Sequence, residues 1–194
     1  KAGEVVYHHA KEILGLYAKM QHLIDDLSNH AHGPLSIGAS YTFGEYVLPH
    51  VIAKLHHRFP EIKPSIVIGN TKDIIELVVR HQLDIGIIEG EHKNADVFIE
   101  PFAEDKMYVV AAGHHDLNKD GSDKRHKLEQ ERWIVREPGS GTREATEKLF
   151  SDFSINPGEM MEFGSTQVIK ESVESGLGIT LLSKFAIRKE IAMN

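Results

Sequence analysis

Cysteine is absent from the 194 residues, which removes a disulfide framework and a thiol nucleophile together and is compatible with an intracellular home. Long apolar runs are missing as well. None approaches the roughly 18 residues that a membrane span needs, and the first thirty residues lack the unbroken apolar core of a signal peptide, so a soluble, cytoplasmic chain with no membrane partner is expected. Basic residues are in deficit, with 22 Lys and Arg against 29 Asp and Glu for a net charge of −7. Nucleic acid needs a basic face to release its counterions, so any DNA contact belongs to another part of the protein.

Familiar catalytic patterns are also incomplete. The run Gly139-Ser140-Gly141-Thr142-Arg143-Glu144 lacks the last Gly of a dinucleotide fingerprint, and there is no Gly-Lys-Ser/Thr of a phosphate loop. Pro138 stands where a Gly-x-Ser-x-Gly elbow has its first Gly. The 13 His include His8-His9, His56-His57, His114-His115 and His30-x-His32. Neighbours on a helix point about 100° apart and make poor chelates. Solvated faces are expected for these His, for Asp25-Asp26 and for Lys124-Arg125, and no catalytic residue, cofactor or metal site is assigned.

What is present is a strand that breaks into a polar turn. Leu35, Ile37 and Ala39 alternate with Ser36, Gly38 and Ser40, and Tyr41-Thr42-Phe43 then opens a helix. Hydroxyl residues suit a helix N-terminus, where free N–H groups and the helix dipole favour anions or carbonyl oxygens. Trp133-Ile134-Val135 repeats the device. It runs through Arg136-Glu137-Pro138-Gly139-Ser140-Gly141-Thr142 into a helical run from Glu144 to Phe153. Two such turns imply two halves facing one cleft, and 194 residues suffice to bury on the order of 70% of the unfolded surface.

In chain order, Val6, Ala10, Ile13, Tyr17, Met20, Ile24 and Leu27 form a heptad seam, the mark of a helix that pairs with another helix. Ser28 to Pro34 break it. Beyond Pro49, Val51, Ile52, Leu55 and Phe59 recur at helical spacing until Phe59-Pro60. A strand at 65–68, a helix from Lys72 to Gln82 with Thr71 as N-cap, and a strand at 84–88 complete a β-α-β-α-β order, which predicts a parallel sheet with ligands at the carboxyl ends of its strands. Short strands are expected at Phe98–Phe102 and Met107–Ala112, with Gly113 as a hinge. A polar stretch from His114 to Glu131 joins the lobes. The second lobe continues with a strand at 160–163, a helix from Gln167 to Ser175 and a strand at 179–182, with Gly176 as a helix C-cap and Gly178 in a tight approach to the last strand.

Several stretches together carry a family resemblance. Ala2-Gly3-Glu4-Val5-Val6 with Ala10 and Ile13-Leu14, Gly33-Pro34-Leu35-Ser36-Ile37-Gly38 with Leu48-Pro49 and Phe59-Pro60-Glu61, Leu83-Asp84-Ile85-Gly86-Ile87, and Ser175-Gly176-Leu177-Gly178-Ile179 resemble the linker helix and effector-binding domain of a LysR-type transcriptional regulator. Glu137 to Arg143 resembles the branch linked to sulfur assimilation. Ser183 departs from the pattern, which often has Pro there.

The resemblance implies an α/β, periplasmic-binding-protein-like (type 2) two-lobed effector domain with an N-terminal linker and dimerisation helix. Its parts would be the linker at 1–29, lobe I at 30–113 and lobe II at 114–194. A winged helix-turn-helix is expected before Lys1 and a return segment into lobe I after Asn194. The expected function is sensing a small anionic metabolite between the lobes of a DNA-bound homodimer or homotetramer. The alternative is a solute-binding protein or a substrate-binding enzyme lobe of the same fold. Ser40, Tyr41 and Thr42 from one lobe and Ser140, Gly141 and Thr142 from the other should contact the effector, with Thr71 and Thr166 at the margins. Helix caps are the competing role for these hydroxyls and for Ser165. Either Arg136 or Arg143 could add a charge-assisted contact, or pair instead with Glu137 or Glu144. A second subunit contact would leave Val47, Val51 and Ile169 exposed.

Overall fold

The computed structural model describes residues 1–26, 31–90, 92, 94–115, 117 and 124–193, without the side chains of 21–26 and 124. The side chains of Ile24, Asp25 and Asp26, the seam position Leu27, the breakers Ser28 to His30, and Asp116, Lys119, Asp120, Gly121 and Asp123 lie outside what the structure describes.

Helix α1 (Ala2–Asp26) is one unbroken 25-residue element, about 37 Å long at 1.5 Å per residue. Its seam is uncovered: Val6, Ile13, Tyr17 and Met20 are all at least half exposed, as are the flanking Leu14 and Leu16. Neither lobe buries these described positions of the stripe.

Alternation after Gly33 produces β1 (Gly33–Ser40), followed by α2 (Tyr41–Tyr46) and α3 (Leu48–Arg58). Pro49 stands in the first turn of α3, where its missing N–H costs nothing. Next come β2 (Ile62–Gly69), α4 (Thr71–Val79) and β3 (Ile85–Ile87). The sheet order is β2-β1-β3 and both pairings are parallel, as the β-α-β-α-β order requires. Ile37, Ala39 and Leu48 form its core with Phe43, Ile52 and Ile87.

The second half contains β4 (Met107–Val110), α5 (Lys124–Gln130), β5 (Arg132–Val135), α6 (Gly141–Asp152), β6 (Glu159–Glu162), α7 (Thr166–Glu174), β7 (Thr180–Ser183) and α8 (Arg188–Met193). β5 pairs parallel with β6, and β4 antiparallel with β7. A bridge at Trp133–Ile179 joins the two pairs. Trp133 is fully buried with Val135, Ile179 and Leu181, meets Phe150 edge-on at 4.8 Å between ring centroids, and donates its indole N–H to Leu128 O at 2.8 Å. The tight approach at Gly178 is real, because a Cβ there would strike Arg132 O. Gly176, just beyond the α7 C-cap Ser175, has φ +82°, the left-handed conformation that ends helices. Where the family pattern has Pro, the Ser183 hydroxyl closes the turn, accepting from Phe185 N at 3.1 Å and donating to Asp105 Oδ1 at 2.9 Å.

Four expectations differ from the structure. Phe98–Phe102 forms no strand; Pro101 cannot donate to a ladder, Phe98 is exposed, and Phe102 packs edge-on against Phe43. β4 precedes the expected lobe boundary at 113/114 but belongs to the second sheet through β7. Ile169 is fully buried with Ile134 and Val173, because Ile169 and Val173 are one helical turn apart on the inner face of α7; its neighbour Val168 is the exposed one. Val51 is exposed as expected, whereas Val47 is only partly so. Finally, the N-cap of α4 is Asn70, whose side chain accepts from Asp73 N, so Thr71 is the first helical residue and its hydroxyl is free for another partner.

Candidate functional site

The carboxyl end of the first sheet meets the first turn of α6, and Glu89 stands at the junction. Because β3 pairs with β1 at Ala39–Ile87, the residue two beyond Ile87 emerges beside Ser40 and Tyr41. Thr142 Oγ1 donates to Glu89 Oε2 at 3.4 Å from the other lobe. Thr71 Oγ1 donates to Glu89 O at 3.4 Å. A Cβ placed on Gly141 would come 2.7 Å from that same carbonyl, so only glycine lets α6 approach this closely. Burial pushes the Glu89 carboxyl above the usual carboxylate range. The Thr42 and Ser40 hydroxyls and the Phe43 N–H pull it down, and the Asp105 charge raises it further. Ser40 and Thr42 face the carboxyl without saturating it: Glu89 Oε1 and Ser40 Oγ are both buried and neither has a hydrogen-bond partner.

A second cluster forms around Arg136, which is 2% exposed. Glu137 grips it in a fork, Nε to Oε2 at 2.7 Å and Nη2 to Oε1 at 2.8 Å. Nη1 donates to Thr166 Oγ1 at 2.9 Å. The guanidinium lies over the Tyr41 ring, 4.5 Å from its centroid, a cation–π contact from one lobe to the other. Burial pushes Glu137 up, but the bonds and charge of Arg136 outweigh it and hold the carboxyl below its ordinary value. Arg143 goes elsewhere: it bonds Glu147 Oε1 at 2.7 Å, Arg136 O at 2.8 Å and Glu162 Oε2 at 3.4 Å.

The lobes also meet elsewhere, with Arg188 Nη2 2.8 Å from His50 Nε2 and Lys170 Nζ 5.0 Å from the centroid of the Tyr46 ring. Lys72 N donates to Gly139 O at 3.1 Å, the Tyr46 hydroxyl donates to Gln167 Oε1 at 3.3 Å, and His92 Nε2 lies 3.3 Å from Glu144 Oε2. Burial, with Glu45 and Glu190 nearby, pushes the Tyr46 phenol up to about 12.

The structure thus gathers Ser40, Thr42, Thr71, Gly141 and Thr142 around Glu89, and Tyr41 and Thr166 around Arg136. Ser40, Thr42, Thr71, Ser140, Thr142 and Thr166 are all buried. Capping does not explain them. Ser40 and Ser140 hold N-cap positions but make no side-chain cap bond, whereas Ser165 does cap α7 through Val168 N. Ser140 is buried, but its side chain makes no hydrogen bond to either hub. Glu89 was not among the expected residues. The signal that could have found it is the rule that ligands collect at the carboxyl ends of parallel strands, applied to β3 as well as to β1.

With this geometry in view, comparison with known proteins is informative. Residues 28–194 match the family model described as the LysR substrate binding domain. The chain is 37% identical over 189 residues to the HTH-type transcriptional regulator CysL of Bacillus subtilis, covering 97% of this chain and 63% of CysL. It is 33% identical over 190 residues to the HTH-type transcriptional activator CmpR of Synechocystis, covering 98% and 62%. It therefore spans a little under two thirds of these curated relatives. Among solved structures, the Synechocystis PCC6803 CcmR regulatory domain in complex with 2-PG superposes with a TM-score of 0.73 at 27% identity, covering 80% of this chain and 74% of that one. The matched span takes in both lobes and every residue of the two clusters, and the chain belongs to the LysR-type transcriptional regulators through their substrate-binding domain.

Proposed function

We propose that this chain is the effector-sensing part of a bacterial, cytoplasmic LysR-type regulator. It takes a small anionic metabolite between its lobes and passes the event to subunit packing through α1. The parts are the linker helix at 1–29, lobe I at 30–113 with β4 lent to the second sheet, and lobe II at 114–194. DNA contact falls to a winged helix-turn-helix outside this chain, consistent with the charge of −7. The assembly is a homodimer or homotetramer. No catalysis is proposed, since the curated relatives are regulators rather than enzyme lobes or solute-binding proteins.

The observation that carries this reading is the convergence of buried hydroxyls from both lobes on one place. The effector contacts are Ser40, Tyr41 and Thr42 on one side and Ser140, Gly141 and Thr142 on the other, with Thr71 and Thr166 at the margins. The ligand held by the CcmR regulatory domain supports a ligand-binding role for this fold. The test begins with a thermal-shift screen of small oxyanions and 2-PG, followed by titration calorimetry on the best binder. Thr42→Ala and Thr142→Ala should each lose roughly ten- to a hundredfold in affinity, the worth of one hydrogen bond to a charged ligand at about 1.5–3 kcal/mol. Their melting temperatures without ligand should move little. Wild-type affinity in both variants refutes the two-turn site.

A further inference from the structure

An anion site that contains a carboxyl group poses an electrostatic problem. Glu89 Oε1 is buried and unbonded beside the equally unbonded Ser40 Oγ, on the spot where Thr42, Thr142 and Gly141 meet. No cationic side chain pairs with the Glu89 carboxyl among the described residues. Arg136 is held in the Glu137 fork. Among the described residues, the titratable groups that face Glu89 include Asp105, in the segment before β4, and His92 and Glu144, contributed by the loop after β3 and by α6. His92 Nε2 lies 3.0 Å from the Glu89 carbonyl rather than its carboxyl. An ionised Glu89 would repel an oxyanion across a few ångströms of poorly screened space. A protonated Glu89 supplies an O–H instead, and Ser40 supplies a second donor.

Resting on the cleft assignment above, we propose that the site takes up an oxyanion together with one proton. The proton resides on Glu89, whose carboxyl then donates an O–H to the bound anion. Glu89 is thus the specificity-determining residue: it admits anions that can accept from a carboxylic acid, and it ties occupancy of the sensor to pH. No bond other than hydrogen bonds is made or broken, and the proton comes from solvent. Burial and Asp105, which already hold the carboxyl above its ordinary range, lower the cost of loading that proton.

The test uses sulfate, thiosulfate and nitrate, which stay fully ionised from about pH 5 to about pH 8, so that any proton taken up goes to the protein. Calorimetry in buffers of different ionisation enthalpy counts it. Wild type should take up close to one proton per anion at the alkaline end. Affinity should fall by roughly tenfold per pH unit once Glu89 is ionised in the free protein. Glu89→Gln carries a permanent donor, so its affinity should be flat with pH and its proton uptake zero. Binding that Thr142→Ala weakens but that involves no proton uptake overturns this proposal and leaves the cleft assignment standing. Uptake that persists in Glu89→Gln assigns the proton to another group, His92 first, and also overturns it. Binding by none of the three anions at any pH overturns this proposal, while the cleft assignment stands or falls on the wider screen and on Thr42→Ala and Thr142→Ala. If Glu89→Gln does not fold, a wild-type count of zero overturns the proposal, and a count near one that is unchanged in His92→Gln supports it.

Discussion

At the scale of single residues, the two carboxyls of the cleft respond to pH in opposite senses. Glu137 has its folded value lowered by Arg136, so its contribution to stability is present above the ordinary carboxylate range and is lost as pH falls through the folded value. Glu89 has its folded value raised, so its contribution is present in acid and is lost as pH rises through the folded value. Glu89→Gln should therefore melt higher than wild type near neutral pH and show no such advantage at about pH 4, without any ligand. A melting difference that is constant across that range would show that Glu89 ionises as it does in the unfolded chain. Arg136→Ala is the complementary change. It strands Glu137 and the Thr166 hydroxyl around a cavity where a guanidinium was 2% exposed, and should cost about 3 kcal/mol, the lower end for breaking a buried pair because Glu137 keeps some contact with water. Chemical denaturation measures it. The sequence placed Arg136 beside the cleft but did not separate it from Arg143, because both follow the same strand and differ only in which way the turn sends them.

Among the elements, α1 was the most legible, since a heptad repeat depends on spacing alone and needs no tertiary information. The structure leaves Ile13 and Met20 exposed at 66% and 50%, so the proposed subunit contact would have apolar surface to cover. Covering such side chains is worth up to about 1.5–3 kcal/mol each. Ile13→Glu with Met20→Glu should raise the dissociation constant of any dimer built on this helix by at least about a hundredfold. The melting of the lobes should hardly change, because Ile13 and Met20 are exposed and take no part in either core. Sedimentation velocity across a dilution series reads the first effect and calorimetry the second; an unchanged dimer would place the subunit contact elsewhere. Other elements were less legible. The run Phe98–Phe102 has the apolar content of a strand, yet strand formation needs a partner edge, and the Pro101 ring removes one donor from the ladder. Ile169 and Val168 are adjacent and similar, and only the placement of α7 on β5 decides which of them the core takes.

For the molecule as a whole, the informative contact is between α6 and the backbone after β3, since it joins lobes whose sheets share no hydrogen bonds. Thr42 and Thr142 were legible as candidates for the junction between the lobes because a hydroxyl-rich turn after a strand is a local pattern. Glu89 was not, because a glutamate before Gly90 reads as an ordinary surface charge until the sheet order β2-β1-β3 brings it beside Ser40. Gly141 records how closely the lobes approach. A Cβ at this position would lie 2.7 Å from the Glu89 carbonyl oxygen and 2.9 Å from its Cβ, both of them parts of the chain that cannot swing aside. Gly141→Ala should therefore leave each lobe folded, since alanine is the better helix former at the start of α6, but hold the lobes apart by prising α6 off β3. Small-angle scattering should give a larger radius of gyration than wild type. Affinity for the anion that binds wild type best should fall about tenfold or more, because Thr142 is carried away from Glu89 and Thr42 together. The double variant Gly141→Ala with Thr142→Ala then distinguishes displacement from simple loss of a bond. If the lobes are held open, removing the Thr142 hydroxyl as well should cost little more, because that hydroxyl no longer reaches the anion. Losses that add in full, with an unchanged radius of gyration, would mean that the cleft absorbs the methyl group without opening.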